Sequence, residues 1–267
     1  MSAQNTANAQ RKNSSLRFHW NRHHDPELDL AFDEVLLTNA AAGHAGLHVY
    51  SWEMPTAVLG YNQSLDDVNP RVVDALDLRV VRRASGGTGI IHDRDIGVSL
   101  ALPLSHPKAS GIRQLYRSFG VGISRGLWAL GVPGETVPYE NEQTSPHSAI
   151  CFLTHGNDSV LLHGKKVFGS AQIRRSRAVL IHGTLLLEPD LDLYEAVFRV
   201  PRQEIAALVT GARALTGNRT PVVGVLATSI ADVFGFTLAT PESRRSDKAN
   251  SSASSLITRR RGDEYAD

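Results

Sequence analysis

The sequence predicts an α+β domain built on a mixed, mostly antiparallel β-sheet flanked by helices. Segments rich in β-branched and aliphatic residues are bounded by turn residues, and amphipathic segments of helical length lie between them. These segments do not alternate in the strict rhythm of a doubly wound parallel sheet. Neither GxGxxG nor GxxxxGK[ST] occurs, so dinucleotide and P-loop nucleotide binding have no support in the sequence.

The first half of the chain supplies two longer helices and several short strands. Asp25 can cap a helix that has Pro26 in its first turn and places Leu28, Phe32, Val35 and Leu36 on one face. A second amphipathic helix is predicted at 111–130. The segments between them are predicted strands at 47–52, 56–61, 78–83, 89–92 and 96–103 and a short helix at 70–77.

The second half begins with a loop rich in proline and glycine and continues as a block of strands. Helices near 191–210 and 220–234 close the domain. The polar ends, 1–16 and 241–267, are predicted to be disordered, which leaves a folded domain over 17–240. The predicted loop is 131–146, and the predicted strands are 149–153, 159–162, 165–173 and 177–187.

Composition excludes several classes of protein. With 42% hydrophobic and 21% charged residues, the chain is typical of a globular protein. It has one cysteine and no CxxC pair, so we expect a cytoplasmic setting, no disulfide and no metal site. No segment has the apolar length of a secretory signal or a membrane span, and the net charge of +1 gives no global field for nucleic acid. We therefore expect neither a membrane nor a nucleic acid as partner.

The single cysteine, Cys151, precedes two apolar segments that are separated by His163 and Gly164. This dipeptide predicts a tight hairpin turn, which would bring Lys166 within reach of Cys151. A nearby ammonium can lower the pKa of a thiol and favour the nucleophilic thiolate, so this pair would form an acyl-accepting nucleophile. The alternative is a cysteine buried for packing alone. His155 and His163 are close enough in sequence to orient or deprotonate the thiol.

Glycine-containing stretches elsewhere provide backbone that a ligand could approach closely. Exposed amides in such stretches can hold a carbonyl oxygen as negative charge develops on it. Turn geometry or tight packing would explain each stretch equally well. The candidate residues are Arg83, Ser85, Gly86, Gly87, His92, Gly169, Ser170, Ala171, His182 and Gly183.

Three basic clusters could meet an acidic partner, or could simply be solvated edges of the fold. They are Arg82-Arg83, Lys165-Lys166 and the group Arg174, Arg175 and Arg177.

The segments SWEMPTAVLGYNQ, RRASGGTGIIHD, GKKVFGSAQIRR and HGTLLL, in that order, resemble the lipoate ligase and octanoyltransferase family. The resemblance covers about residues 25–235. It implies a fold shared with biotin protein ligases and a tunnel for a medium-chain acyl or lipoyl group. The cysteine ahead of GKKVFGSAQ is similar to that of the cysteine-dependent octanoyltransferase branch, which starts from an existing thioester and uses no ATP or other cofactor.

The resemblance also implies a role for each candidate residue in the catalytic domain, 17–240. Cys151 would attack octanoyl-acyl carrier protein and hold the octanoyl group as a thioester. A lysine of a lipoyl carrier domain, such as glycine cleavage H protein or a 2-oxoacid dehydrogenase E2, would then form the amide. Lys166 would lower the pKa of the thiol and help to hold the acyl carbonyl, and the ten residues of the glycine-containing stretches would line the pocket. We expect the enzyme to be a monomer.

Three other functions remain open at this point. An ATP-dependent lipoate ligase would activate a free acid and would not need Cys151. An amidotransferase would move octanoyl from one carrier domain to another through the same thiol. A non-catalytic acyl-binding or carrier-binding protein would keep Cys151 only for packing.

Overall fold

Two β-sheets and six α-helices make up the part of the chain that the computed structural model describes, residues 15–21, 25–52, 54–137, 148–217 and 219–239. The strands are β1 (Ser15–Asn21), β2 (Gly46–Tyr50), β3 (Thr56–Leu59), β4 (Arg79–Arg82), β5 (Ile90–His92), β6 (Asp95–Pro103), β7 (Glu135–Thr136), β8 (Ser159–Leu162), β9 (Lys165–Arg174), β10 (Ala178–Leu186) and β11 (Thr237–Leu238). The helices are α1 (Pro26–Ala41), α2 (Pro70–Ala75), α3 (Ile112–Ala129), α4 (Leu191–Phe198), α5 (Arg202–Leu208) and α6 (Arg219–Phe234).

The larger sheet has eight strands in the order β11-β1-β2-β6-β10-β9-β8-β7. Only β1 pairs in parallel, with β11 and β2, and the other neighbours are antiparallel. The predicted α+β class with a mixed, mostly antiparallel sheet is therefore confirmed. The smaller sheet has the order β4-β3-β5 and carries one parallel and one antiparallel pairing.

Alternate residues of the long strands β6 and β10 point to opposite faces of the larger sheet, and each face is covered by helices. Leu100 and Ile181 belong to the core that α3 and α6 cover. Their chain neighbours Ala101 and Leu180 pack with Phe32 of α1 on the other face. Both faces of these central strands are therefore buried, which explains why the sequence of β10 is nearly continuously apolar.

Helix α1 begins where the sequence predicts, because the Asp25 carboxylate accepts hydrogen bonds from the backbone N–H groups of Glu27 and Leu28 at 2.9 and 3.2 Å. Its buried face differs from the prediction. Asp29 and Asp33 are buried, whereas Leu28 and Val35 are only half-buried. The helix thus presents two carboxylates to the interior, and partners for them must come from the sheet.

Three further expectations are corrected. The segment predicted as a strand at 149–153 contains a short 3-10 turn, Cys151–Leu153, whose backbone is held by side-chain and isolated backbone hydrogen bonds instead of a ladder. The predicted strands at 89–92 and 96–103 do not pair with each other, since β5 joins the smaller sheet and β6 the larger. Ser15 and Leu16, assigned to the N-terminal tail, belong to β1, and the remainder of both predicted tails lies outside the described residues.

Within the described ranges, no helix is both long enough and apolar enough to cross a membrane.

Candidate functional site

A cavity of about 710 Å³ lies where the smaller sheet and the loop after β4 meet strands β9 and β10 and the segment 151–158. Its volume falls in the range of small-molecule binding sites. Apolar walls and a few charged or polar groups line it together, as expected for a ligand with a carbon chain and one reactive end. Its lining includes Val58, Arg83, Ile90, His92, Ile112, Tyr116, Cys151, Phe152, His155, Asp158, Lys166, Gly169, Gln172 and His182.

The hairpin between β8 and β9 forms as predicted and places Lys166 at the cavity. His163 and Gly164 both have positive φ, 53° and 77°, which a two-residue hairpin turn with right-handed twist requires. Lys166 is the second residue of β9 and its side chain is 1% exposed. A lysine so deeply buried must have its charge and all its donors satisfied by the protein.

Three acceptors surround the Lys166 ammonium. Its Nζ donates to the backbone oxygens of Cys151 and Thr154 at 3.1 and 2.9 Å and to Oδ2 of Asp158 at 3.2 Å. The Phe152 ring centroid lies 5.2 Å from the same nitrogen. These contacts use the three donors of the ammonium, so Lys166 holds the short turn that carries Cys151.

Cys151 is half-buried and lines the cavity together with two cations, Arg83 and Lys166, that act on its thiol electrostatically. Burial raises the pKa of its thiol above the ordinary value, because the surrounding protein disfavours the thiolate. Arg83 and then Lys166 oppose this effect, while Asp158 adds to it. Lys166 lowers the pKa of the thiol, which is the expected direction, but Arg83 contributes more than Lys166 and burial outweighs both cations.

Arg83 is fixed by the loop that follows it. Its Nε donates to Oγ of Ser85 at 3.0 Å, and one terminal nitrogen, Nη2, donates to the carbonyl oxygens of Gly86 and Thr88, both at 2.8 Å. The loop closes on Arg83 because Gly87 has a φ of 88°, which a residue with a side chain rarely adopts. A buried guanidinium with two of its nitrogens held by hydrogen bonds is a rigid positive group at the cavity that Cys151 also lines.

A chain of hydrogen bonds continues from Arg83 into the interior. The Ser85 hydroxyl lies 2.6 Å from Nε2 of His182, and Nδ1 of His182 lies 3.2 Å from Oδ2 of Asp33. This order of serine, histidine and aspartate is also that of hydrolytic triads. Here Ser85 is 1% exposed, does not line the cavity, and its oxygen already accepts from Arg83. The serine therefore connects Arg83 to the interior and is not placed to attack a substrate.

This series of hydrogen bonds ends at Asp33, which belongs to a cluster of buried ionisable groups. His48 is fully buried between Asp29 and Asp33, with nitrogen to oxygen distances of 3.4 and 3.5 Å. Burial disfavours the imidazolium, but the two carboxylates outweigh burial and raise the pKa of His48 to about 9. Burial likewise disfavours the Asp33 carboxylate, but His182 and then His48 lower its pKa to about 2. The Trp52 indole N–H donates to Oδ2 of Asp29 at 2.8 Å, which fixes the second carboxylate.

His92 belongs to a second pair beside the first. Its Nδ1 lies 2.9 Å from Oδ2 of Asp95, and its Nε2 lies 3.3 Å from the hydroxyl of Thr184 on β10. The Trp52 ring packs against the imidazole at a centroid distance of 4.4 Å. These contacts orient His92 at the cavity wall where the smaller sheet meets the larger.

Gly169 lies on β9 opposite the Lys166 side chain. A Cβ atom at position 169 would stand 2.7 Å from Cε and 3.2 Å from Nζ of Lys166. The absence of a side chain therefore makes the room that the buried ammonium occupies.

The structure brings the candidate residues predicted from the sequence together around this one cavity. All of them line it except Ser85, which lies behind the wall. His155 also lines it, its Nε2 3.4 Å from the backbone oxygen of Leu208 and its pKa lowered chiefly by burial. His163 is exposed at the hairpin turn and does not line the cavity, so it is not placed to act on Cys151.

Sequence reasoning missed Asp33, His48 and Asp158. For Asp33 a signal was present, because Asp29 and Asp33 are four residues apart and fall between the apolar residues of a helix that buries that face. Charges on a buried face require partners, and this could have pointed to a buried network.

The fold and site define a catalytic domain of the lipoyl protein ligase A/B type. Residues 25–229 match the family described as "Lipoyl protein ligase A/B catalytic domain", and the chain belongs to this family. Among its relatives, the octanoyltransferase LipM of Carboxydothermus hydrogenoformans is 36% identical over 176 residues, which are 64% of each chain. The octanoyltransferase LipM of Halalkalibacterium halodurans is 31% identical over 68% of this chain and 69% of that protein. The match thus spans a little under two thirds of the first relative's length.

Solved structures agree on the fold. A lipoate-protein ligase A bound with ATP superposes with a TM-score of 0.72 at 20% identity, covering 92% of this chain and 94% of the other. A chain from the lipoylation system of Thermoplasma acidophilum, described as a bi-partite lipoate protein ligase and its E2 lipoyl domain, gives 0.70 at 18% identity, covering 92% and 93%. The expected lipoate-ligase fold is therefore confirmed.

Proposed function

We propose that this protein is an octanoyltransferase that moves an octanoyl group from acyl carrier protein, through a thioester on Cys151, to a lysine of a lipoyl carrier domain. One observation carries the proposal: the single cysteine of the chain lines the same cavity as two buried cations, Arg83 and Lys166, which both favour its thiolate electrostatically. The names of the relatives support octanoyl transfer.

In the first step the Cys151 sulfur attacks the carbonyl carbon of the octanoyl thioester. A new carbon–sulfur bond forms, the bond to the carrier sulfur breaks, and the carrier leaves as a thiolate that takes up the proton lost by the Cys151 thiol. Since one thioester replaces another, the step needs no ATP. Arg83 and Lys166 favour the attacking thiolate electrostatically.

The raised pKa of the Cys151 thiol makes it a weak nucleophile in the free enzyme. Burial keeps most of the thiol protonated in the free enzyme. Negative charge that develops on the thioester oxygen during attack would lie in the same cavity as Arg83, where low dielectric strengthens the attraction.

In the second step the acceptor lysine attacks the octanoyl-cysteine carbonyl as a free amine. The amide forms, the Cys151 sulfur leaves, and the proton lost by the acceptor lysine restores the thiol or passes to solvent. This step runs downhill because an amide is more stable than a thioester. We propose that glycine cleavage H protein or a 2-oxoacid dehydrogenase E2 domain supplies the lysine, and that the enzyme works as a monomer.

The pocket residues have separate proposed roles. Arg83 and His92 face the reacting end of the acyl group, while the backbone at Gly169, Ser170 and Ala171 forms the opposite wall. Asp33, His182 and Ser85 are positioning residues that hold Arg83 in place. The remaining wall is formed by Gly86, Gly87 and Gly183.

Intact mass spectrometry tests the proposal. Incubation with octanoyl-acyl carrier protein should add one octanoyl group to the protein, and hydroxylamine should remove it because thioesters are labile to it. Cys151→Ala should give no adduct, and Cys151→Ser is the matched control for size and polarity. A wild-type protein that acquires no adduct would reject the thioester mechanism.

Two other outcomes would assign different functions. Release of pyrophosphate with free lipoate and ATP, retained in Cys151→Ser, would identify an ATP-dependent ligase. Labelling of Cys151 by octanoyl-H protein but not by octanoyl-acyl carrier protein would identify an amidotransferase.

A further inference from the structure

In two of the three basic clusters in the sequence, the cations donate hydrogen bonds to acceptors of the protein itself. One Arg82 nitrogen, Nη1, donates to the backbone oxygens of Gly60, Tyr61 and Gln63. Lys165 donates to the backbone oxygen of Ala206. Arg83 and Lys166 are the buried cations of the cavity described above. Arg82 is exposed but has these backbone partners, whereas the third cluster, at the turn between β9 and β10, places Arg175 and Arg177 at the surface.

This third cluster is joined by Lys108 to form a cationic rim, defined here as Lys108, Arg174, Arg175 and Arg177. Arg174 links the two segments, since its Nη2 donates to the backbone oxygens of Ala109 and Ser110 at 2.7 and 3.2 Å. The same two segments are also joined by a backbone hydrogen bond of 2.9 Å from the Leu104 N–H to the Arg177 oxygen. Arg175 and Arg177 are exposed and Lys108 is half-buried.

The cationic rim borders the mouth of the cavity. Gln172 and Ile112 both line the cavity, and the Gln172 amide donates to the Ile112 backbone oxygen at 3.1 Å. Arg174 Nη1 in turn donates to the Gln172 side chain at 3.2 Å. Ile112 is 56% exposed, so an apolar residue stands at the mouth beside the cations. An apolar contact with a charged border is the usual anatomy of a protein interface.

No acidic residue neutralises the rim within the described part of the chain. The segments 96–134 and 159–187, from which the rim is built, contain no aspartate or glutamate at all. None of the four rim cations forms an ion pair with a described residue. The net charge of +1 therefore conceals a positive field concentrated at one place, which attracts anionic partners to that place.

We infer that the cationic rim docks the acyl donor, an acyl carrier protein with an acidic surface. The inference rests on the proposed octanoyl transfer. The donor presents its acyl group on an arm that contains a phosphodiester, whereas the acceptor presents a lysine ammonium. A positive mouth attracts the first group and repels the second, so the charge complementarity fits the donor.

Charge reversal at the rim provides the test. The variant carries Lys108→Glu, Arg175→Glu and Arg177→Glu, and it retains Arg174 because that guanidinium holds the loop at 109–110. A matched control carries Arg71→Glu, Arg125→Glu and Arg213→Glu, three exposed cations that do not line the cavity. Both variants change the net charge equally, so only the location of the charge differs.

Acylation of Cys151 is then measured with two donors, octanoyl-acyl carrier protein and the small uncharged thioester octanoyl-N-acetylcysteamine. We expect the rim variant to lower kcat/KM for the carrier about 10- to 100-fold relative to the small thioester. In the control the ratio of the two donors should stay near that of the wild type. Raising the salt concentration from about 0.05 to about 0.5 M should slow the wild type with the carrier and affect the rim variant little.

Several results would overturn the inference. Equal losses with both donors would mean that the substitutions disturb the cavity, and equal losses in both variants would mean that only overall charge matters. Normal acylation by the carrier, combined with slow transfer from the octanoylated enzyme to a lipoyl domain, would assign the rim to the acceptor. Failure of both donors to acylate wild-type Cys151 would instead reject the proposed function, and the rim inference with it.

Discussion

The reactivity of Cys151 depends on a balance between burial and two positive charges. Burial raises the pKa of the thiol, and Arg83 and Lys166 lower it without overcoming burial. Asp158 weakens the effect of Lys166, because its carboxylate pairs with the ammonium at 3.2 Å and faces the same cavity. Each of these charged neighbours can be changed while the cysteine is kept.

Opposite substitutions should therefore move the thiol pKa in opposite directions. Arg83→Met removes the stronger favourable cation and should raise the pKa of Cys151 further, whereas Asp158→Asn removes an anion and should lower it. The pH dependence of iodoacetamide alkylation of Cys151 measures both shifts. We also expect Arg83→Met to slow octanoyl transfer by about 100-fold or more, the typical effect of losing a preorganised charge at a reacting oxygen.

A shift of the alkylation profile in the same direction for both variants would contradict this electrostatic account. It would indicate that the substitutions act by changing access to the cavity.

The position of the Lys166 ammonium also depends on the space left by the missing side chain at Gly169, and Gly169→Ala tests this dependence. The new methyl group would stand 2.7 Å from Cε of Lys166 and must displace the ammonium from its three acceptors. We expect a loss of about 1–3 kcal/mol in the free energy of unfolding, measured by urea denaturation, together with slower acylation. Gly217→Ala is a suitable control, because nothing lies within 4 Å of a Cβ at that position.

At the scale of elements, three parts of the fold meet through one chain of hydrogen bonds. Helix α1 contributes Asp33, strand β10 contributes His182, and the loop after β4 contributes Ser85 and Arg83. A rigid helix and strand thus hold a loop residue in the orientation that the cavity needs.

Ser85→Ala removes the link between Arg83 and His182 without touching the cavity surface. We expect octanoyl transfer to fall about 10-fold or more, with the thiol pKa from the alkylation profile rising as Arg83 loses its fixed position. Ser118→Ala, at a buried serine of α3 that does not line the cavity, is the control for a lost buried hydroxyl. A Ser85→Ala enzyme that is less stable but has an unchanged alkylation profile would show that the link serves stability alone.

At the scale of the whole molecule, the buried ion cluster links stability to pH. The pKa of His48 is raised from 6.5 to about 9 in the folded protein, so its stabilising contribution is complete below pH 6.5 and is lost as pH rises through 9. The pKa of Asp33 is lowered to about 2, so its contribution is present above pH 3.8 and is lost as pH falls through 2. His19 acts in the other direction below pH 6.5, because burial and then His48 lower its pKa to about 4.

We therefore expect the free energy of unfolding to be greatest near pH 6.5 and to fall by at most about 3 kcal/mol as the pH rises to 9. Denaturant unfolding at a series of pH values measures this dependence. His48→Gln should remove most of the decline above pH 6.5, and His44→Gln, at an exposed histidine, should retain it. A decline of equal size in His48→Gln would place its origin outside the buried cluster.

The sequence by itself determined the class of fold, the start of α1, the boundaries of α3 and α6, and the hairpin at His163 and Gly164. Local chemistry decides such features: the Asp25 carboxylate caps α1, apolar residues recur at helical spacing, and glycine permits the turn. The family resemblance also indicated which residues would share one site, and the cavity contains all of them except Ser85.

Only the tertiary structure decided how those residues act on one another. Burial depends on every element packed around a group, and no local pattern in the sequence encodes it, so the raised pKa of Cys151 and the larger influence of Arg83 could not be predicted. The buried cluster of Asp29, Asp33 and His48 joins α1 to β2, and the cationic rim joins the loop at 104–111 to a distant hairpin. Such long-range contacts arise from the packing of sheets and helices, which brings together charges that are far apart along the chain.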